Sequence, residues 1–261
     1  MDLHLNGKTA LVCGSTAGIG KATALELAEL GAHVILMARN AEKLEKTLAE
    51  LPKGPDQKHH AVRADFTDLE GFKTAVEEIR RKHQVHVLVN NTGGPPSGLA
   101  FEADPDQYAA AFSQHLLCNQ ILTQAVVPSM KEAKYGRIVN VISTSVKQPI
   151  ENLGVSNTIR GAVANWSKTL SVELGPFGIT VNNVLPGFTT TDRLDDIVTS
   201  AAKRLNKTPQ EAQAFMASVV PARRFASPQE IACGIAFLCS PSAGYINGIN
   251  LPIDGGRTKS L

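Results

Sequence analysis

The sequence predicts an α/β fold: a single doubly wound parallel sheet with helices on both faces. Three observations predict it. Short β-branched and apolar runs alternate with longer segments of helical periodicity from one end of the chain to the other. Several runs are almost wholly apolar (residues 85–89 are so apart from His86), as expected of strands covered on both faces. No composition break, linker or internal repeat interrupts the alternation, so the 261 residues read as one domain, 1–261, long enough to bury a large core.

Taken in order, residues 8–13 are a strand and 18–30 a helix, with Ile19, Ala22, Leu27 and Leu30 on about one face. Residues 33–37 form a second strand, and 41–51 a helix with a charged outer side. The polar stretch 52–58 is a loop, and 60–64 a third strand. Leu69, Phe72, Val76 and Ile79 recur at helical spacing. Residues 85–89 are the fourth strand and 90–96 a loop. From Pro105 to about Lys131 runs a long helix that Pro128 is expected to bend or end. The fifth strand is 137–142. A second long helix, 153–174, is stopped by Gly175-Pro176. Strand six is 179–184. The amphipathic stretch 191–220 contains Pro209 and divides into two short helices. Ser227 as N-cap and Pro228 at the first position open a helix to Cys239, and 249–253 is the last strand.

Composition excludes several classes of function. The net charge is +2 with no basic cluster, which argues against nucleic acid as a partner. The N-terminus has no apolar signal core and no stretch is long enough to span a bilayer, so a soluble cytoplasmic protein with no membrane partner is expected. Cys13, Cys118, Cys233 and Cys239 have neither secretory pairing nor zinc spacing; they are expected to be buried small hydrophobes, and no metal site is expected.

The first strand and helix are joined by Gly14-Ser-Thr-Ala-Gly-Ile-Gly20. Strand, glycine turn and helix together aim backbone N–H groups and the positive end of a helix dipole at phosphate oxygens. Glycine lets the chain turn sharply and approach a pyrophosphate without side chains intervening. The turn therefore predicts a dinucleotide site on a Rossmann-type sheet, with Gly14, Ser15, Thr16, Gly18, Ile19 and Gly20 against the phosphates. In such sheets ligands lie beyond the carboxyl ends of the strands, which makes 38–40, 65–66, 90–96, 143–145 and 186–192 the other candidate segments.

Together these segments resemble the short-chain dehydrogenase/reductase family, close to its 3-oxoacyl-(acyl carrier protein) reductase-like members. The resemblance is carried by the glycine turn, Asn90-Asn-Thr-Gly93, Gly136-Arg-Ile-Val-Asn-Val-Ile-Ser143, Ile179-Thr-Val-Asn-Asn-Val-Leu-Pro-Gly187, and Tyr245-Ile-Asn-Gly with Asp254-Gly-Gly256. It implies that Asp65 and Phe66 line an adenine and that Asn91, Thr92 and Gly93 approach the nicotinamide-side ribose. It places Pro186, Gly187, Thr189 and Thr191 at the carboxamide and phosphates. Asp65 also reads as a turn former. Strand two ends on Ala38, Arg39 and Asn40 instead of an acidic residue; a guanidinium there suits a 2′-phosphate, so NADP(H) is preferred, with NAD(H) the alternative. The family's packing of its two long helices implies a homotetramer, with Gly161 and Ala164 permitting close approach.

The chain departs from the family's catalytic pattern. Ser143 aligns with the catalytic serine, but the tyrosine thirteen residues on is Ser156, the lysine four further is Arg160, and the asparagine of the preceding long helix is His115. Ser156 and Arg160 stay on one helix face. A serine hydroxyl is a poorer acid than a phenol, and arginine does not readily release a proton. His115 is expected to be the one new group titrating near neutral pH, or else a structural histidine. Two functions compete. One is an NADP(H)-dependent oxidoreductase with an atypical site, acting on a small-molecule carbonyl or alcohol or on an acyl thioester. In that reading Ser143 and Arg160 polarise the oxygen, while Ser156, His115 or water relays the proton. The other is a catalytically impaired nucleotide-binding homologue, a sensor or inactive subunit. A changed reaction on an activated double bond is a third reading. Phe188, Leu194, Ile197, Val198, Phe215 and Met216 are expected to form an apolar substrate lid at about 188–220, or simply to pack on the domain.

Overall fold

Apolar residues alternate across the first strand, and each face of the sheet takes its share. In the computed structural model, which describes residues 1–260, seven parallel strands form one sheet: β1 (Thr9–Cys13), β2 (His33–Ala38), β3 (His60–Arg63), β4 (Val87–Asn90), β5 (Gly136–Val141), β6 (Ile179–Pro186) and β7 (Asn250–Ile253). Their order is β3-β2-β1-β4-β5-β6-β7. Ala10 and Val12 face α1 (Gly18–Glu29) and α9 (Pro228–Cys239), where Ala24, Leu27, Ile231 and Ile235 complete one core layer. Leu11 and Cys13 face α3 (Leu69–Lys82) and α5 (Cys118–Ala133), where Phe72, Val76, Leu122 and Met130 complete the other. Each Val, Leu, Ile, Phe or Met among them, fully buried, contributes roughly 1.5–3 kcal/mol. The chain reverses direction across the sheet between β1 and β4, which opens a crevice at their carboxyl ends.

A polar row runs through the sheet. Asn90, Asn140, Asn183 and Asn250 stand opposite one another on β4, β5, β6 and β7. Asn90 Nδ2 donates to Asn140 Oδ1 (2.8 Å), Asn140 Nδ2 to Asn183 Oδ1 (3.0 Å), and Asn183 Nδ2 to Asn250 Oδ1 (2.8 Å). Asn140 also donates to Ser167 Oγ on α6 (Gly154–Leu174). A slip of one residue would break every bond of the row, so it fixes the register of four strands.

Several boundaries differ from expectation. Pro128 does not end its helix: α5 continues to Ala133. Pro128 and Gln124, whose carbonyl loses its partner, are both exposed, so water replaces the bond, while buried Val126 and Met130 hold the helix on the sheet. The long helix is instead interrupted earlier, where α4 (Pro105–Phe112) passes through a wider π-helical turn, Ser113–Leu117, before α5. Strand four is shifted, to Val87–Asn90 from the expected 85–89. Residues 191–220 do divide, into α7 (Asp192–Leu205) and α8 (Pro209–Ser218). Of the cysteines, Cys233 is exposed on α9. Ala164 is buried within the subunit against Ile142 and Leu185, not open for a partner as expected; Gly161 does face open space. Among the described residues no helix is long and apolar enough to cross a membrane.

Candidate active site

The crevice is built by the loops that leave the strands. After β1, Gly14 and Gly18 adopt left-handed backbone (φ 58° and 50°), which side chains other than glycine's rarely tolerate. A Cβ on Gly20 would run into the carbonyl oxygen of Gly14, so this glycine allows α1 to start hard against the turn. Asn91, from the loop after β4, donates to the carbonyls of Cys13 and Gly14 (3.3 and 3.4 Å) and ties the two loops together. The chain then passes Gly98, whose N–H donates to Asn152 and whose carbonyl accepts from Gly154, so the loop is anchored at the start of α6.

These loops enclose a hollow of about 390 Å³. Gly14, Gly18, Ile19, Asn91, Thr92, Gly93, Ser143, Ser156, Arg160, Pro186, Gly187, Thr189 and Thr191 all line it, from five separate segments of the sequence. A second hollow of about 210 Å³ adjoins it across Ser143, Leu153, Pro186, Gly187, Phe188 and Ile197. Ser15 is buried beneath the turn, its hydroxyl donating to the Met37 carbonyl (3.4 Å), and Thr16 is half-buried in the turn.

Ser143 is carried out of β5 into a short turn, where its Oγ accepts the Ser145 N–H (3.1 Å) and leaves its own proton free to donate. Ser156 and Arg160 lie one helical turn apart on α6, and the Ser156 hydroxyl has no partner within the described chain. The Arg160 side chain is buried, donating to the carbonyls of Val141 (3.0 Å) and Thr92 (3.5 Å) and to no carboxylate. Burial, with the Arg193 charge adding to it, lowers its pKa to about 10, so it stays cationic at neutral pH. A Cβ on Gly94 would lie 3.7 Å from Arg160 Nη2 and 3.9 Å from Arg193 Nη2, so two guanidinium groups flank that glycine. Arg193, which no sequence motif singles out, donates to the Pro95 carbonyl (2.8 Å).

Of the two readings of His115, a titrating group or a structural histidine, its surroundings fit the second. It does not line the hollow; its Nδ1 pairs with Thr92 Oγ1 (2.6 Å), and its Nε2 is buried without a partner. Burial, then the Arg160 charge, lowers its pKa to about 3, so it does not titrate near neutral pH. The expected lid is also only partly so. Leu194, Val198 and Met216 pack together; Val198 lines neither hollow, Phe215 is exposed, and Phe188, Leu194, Ile197 and Met216 reach one hollow or the other.

At the far end of the crevice, Arg39 is exposed at the end of β2, and its carbonyl accepts from Arg63 Nε (3.2 Å), bringing a second guanidinium to the same edge. Asn40 is committed to capping α2 (Ala41–Glu50), its Oδ1 accepting from Lys43 (2.8 Å). Asp65 Oδ1 accepts from the N–H and hydroxyl of Thr67, the turn-forming arrangement; those bonds, with smaller help from Arg39 and Arg63, hold its pKa below the usual carboxylate range. The Phe66 ring is half-buried and packs tilted against Phe72, 4.7 Å between centres, at the edge of the core. Tyr108 donates to Ala100, Tyr135 to Cys239 on another part of the molecule, and Tyr245 is fully exposed; no phenol lines either hollow.

The left-handed glycines, the space that a Cβ at Gly20 would fill and the open crevice over β1 and β4 fit a dinucleotide. Comparison with known proteins agrees. Residues 14–258 match the family model described as enoyl-(acyl carrier protein) reductase. The chain is 31% identical over 259 residues to the NADPH-dependent reductase BacG of Bacillus subtilis, covering 98% of this chain and 100% of that protein. It is 34% identical over 258 residues to the 3-oxoacyl-(acyl-carrier-protein) reductase FabG of Haemophilus influenzae, covering 97% and 98%. The structure of L-sorbose reductase from Gluconobacter frateurii, complexed with NADPH and L-sorbose, is similar at a TM-score of 0.92 and 30% identity over the whole of both chains. With the sheet order, the glycine turn and the serine-bearing end of β5 in place, the chain belongs to the short-chain dehydrogenase/reductase family of oxidoreductases.

Proposed function

We propose that this protein is an NADP(H)-dependent oxidoreductase of a carbonyl or hydroxyl compound in which Ser156 and Arg160 stand where the family has tyrosine and lysine. The observation that carries the reading is the convergence of Ser143, Ser156 and Arg160 on the hollow that also holds the glycine turn. NADPH-dependent relatives and the NADPH-bound sorbose reductase support the cofactor, and an acyl thioester is a candidate substrate by likeness to FabG. Gly14 to Gly20 would cradle the pyrophosphate, Arg39 with Arg63 would meet the 2′-phosphate, and Thr189 and Thr191 would face the nicotinamide side. When bound, the reduced nicotinamide supplies a hydride to the carbonyl carbon.

The residues of the chain do the rest. Ser143 donates its free proton as a hydrogen bond to the substrate oxygen, which gains negative charge during reduction. Arg160, fixed by two carbonyls, supplies a permanent positive charge to that oxygen or to the cofactor's ribose. The proton comes from water, relayed by Ser143 or Ser156, because no phenol lines the hollow and His115 is neutral behind Thr92. His115 is then a positioning residue. The segment at about 188–220, by way of Phe188 and Ile197, covers the substrate side, within a single domain spanning 1–261. A homotetramer built through the α4–α6 face completes the reading.

The test is a fluorescence titration with NADPH and NADH, followed by turnover with a carbonyl panel. NADPH binds at least tenfold more tightly, and Arg39→Ala removes that preference. Hydride transfer from deuterium-labelled NADPH to a product completes the case. NADPH binding without turnover of any carbonyl overturns it in favour of a nucleotide-binding homologue; no binding of either dinucleotide overturns both.

A further inference from the structure

The smaller hollow, on the other side of Ser143 from the glycine turn, has apolar walls that include Ile150, Leu153, Ile197 and Met216. Two arginines enter it, Arg204 and Arg257. They differ in what holds them. Arg204 lies 3.8 Å from the Glu151 carboxylate, another lining residue. The half-buried Arg257 lies with its guanidinium 4.2 Å from the centre of the Phe188 ring and, among the described residues, makes no hydrogen bond or ion pair through its side chain. Its acidic neighbour Asp254 is occupied elsewhere, accepting the backbone N–H groups of Gly256 (3.0 Å) and Thr258 (2.8 Å). The Phe188 ring therefore holds the planar donor fork beside the hollow while its five donors meet no acceptor among the described residues.

We propose that this hollow binds the carboxylate of an anionic substrate, with Arg257 as its anchor and Ser143 at the reacting oxygen. The inference rests on the functional reading above and names the substrate class: an oxo or hydroxy acid. Two arginines and one glutamate leave a single excess positive charge in the hollow, which a carboxylate monoanion balances. A guanidinium fork meets two carboxylate oxygens in parallel, and its charge-assisted bonds are about twice as strong as neutral ones. Burial disfavours the charge on Arg257 and the nearby Asp254 carboxylate offsets that only in part, so an acceptor in the hollow relieves a cost the free protein bears. The apolar walls would take the carbon chain between the acid group and the carbonyl.

The test uses the full-length chain saturated with NADPH and small aliphatic carboxylates of increasing length, each paired with its carboxamide, at constant ionic strength. Thermal shift and fluorescence titration read binding, so no turnover is required. The carboxylates bind at least tenfold more tightly than their amides, and Arg257→Met removes the difference while Arg257→Lys, which keeps the charge and loses the fork, retains part of it. Equal binding of acids and amides, or an undiminished preference in Arg257→Met, overturns the proposal. A second arm compares NADPH oxidation by oxo acids and their methyl esters. Preferential carboxylate binding with no oxidation of either would sink the oxidoreductase reading and leave the anion site standing; oxidation of esters as fast as acids would do the reverse.

Discussion

Arg160 and His115 share one dry region behind the loop after β4, and Thr92 links them: its carbonyl accepts from the guanidinium and its hydroxyl pairs with the imidazole. A cation already buried there makes a second one on His115 unfavourable. The consequence is acid sensitivity. His115 takes up a proton near pH 6.5 when unfolded and near pH 3 when folded, so its contribution to stability is complete above the unfolded value and is lost as pH falls between the two. Each pH unit in that window costs up to about 1.4 kcal/mol. His86, lowered to about 4 by burial first and then by the neighbouring Lys8 charge, adds to the same limb. Urea unfolding between pH 7 and 4.5 should show stability falling with pH, with a shallower slope in His115→Asn; an unchanged slope would mean that the imidazole is solvated. The second prediction at this scale concerns the proton donor. Ser156→Tyr with Arg160→Lys should raise NADPH-dependent reduction of simple ketones by ten- to a hundredfold, since it supplies a phenol and a cation that lowers its pKa. Unchanged rates in a correctly folded, NADPH-binding variant would place the limitation elsewhere in the pocket.

The strands and helices were legible where the signal is local, and illegible where it is not. The glycine turn, Ser143 at the end of β5, and Ser156 with Arg160 one turn apart on α6 are positions that spacing alone locates. The π-helical turn at Ser113–Leu117 has no such signature, and it rotates His115 relative to an ideal helix. Nor does the asparagine row, whose partners lie 43 to 67 positions apart in sequence. Asn140 is its centre, accepting from Asn90 and donating to Asn183 and Ser167. Asn140→Leu should orphan Asn90 Nδ2 and Asn183 Oδ1 and destabilise the protein by about 2–6 kcal/mol, from ~1–3 kcal/mol for each buried unpaired group. Chemical denaturation measures this; a loss below 1 kcal/mol would show that water or rearrangement replaces the row.

At the scale of the whole molecule, the proposed homotetramer makes a demand on α6 that can be tested. A Cβ at Gly161 touches nothing within its own chain, so the subunit itself does not require glycine there. Gly161→Glu should leave the isolated fold intact, since any residue but proline improves on glycine inside a helix by up to about 1 kcal/mol. In a tetramer packed through α6 the same change should lower the sedimenting mass to a dimer or monomer. An unaltered mass would remove α6 from the interface.

By itself the sequence determined the alternation of strands and helices, the turn that would receive a pyrophosphate, and where Ser143, Ser156 and Arg160 fall on those elements. Those features depend on residue order over a few positions, where strand and helix periods act directly. Only the tertiary structure decided that His115 is neutral and set behind the site, that the Phe66 ring packs against Phe72, and that Arg193 and Arg257 enter the two hollows from segments remote in the chain. Protonation and ligand contact depend on burial and on neighbours brought together by the sheet, and neither exists until the chain has folded.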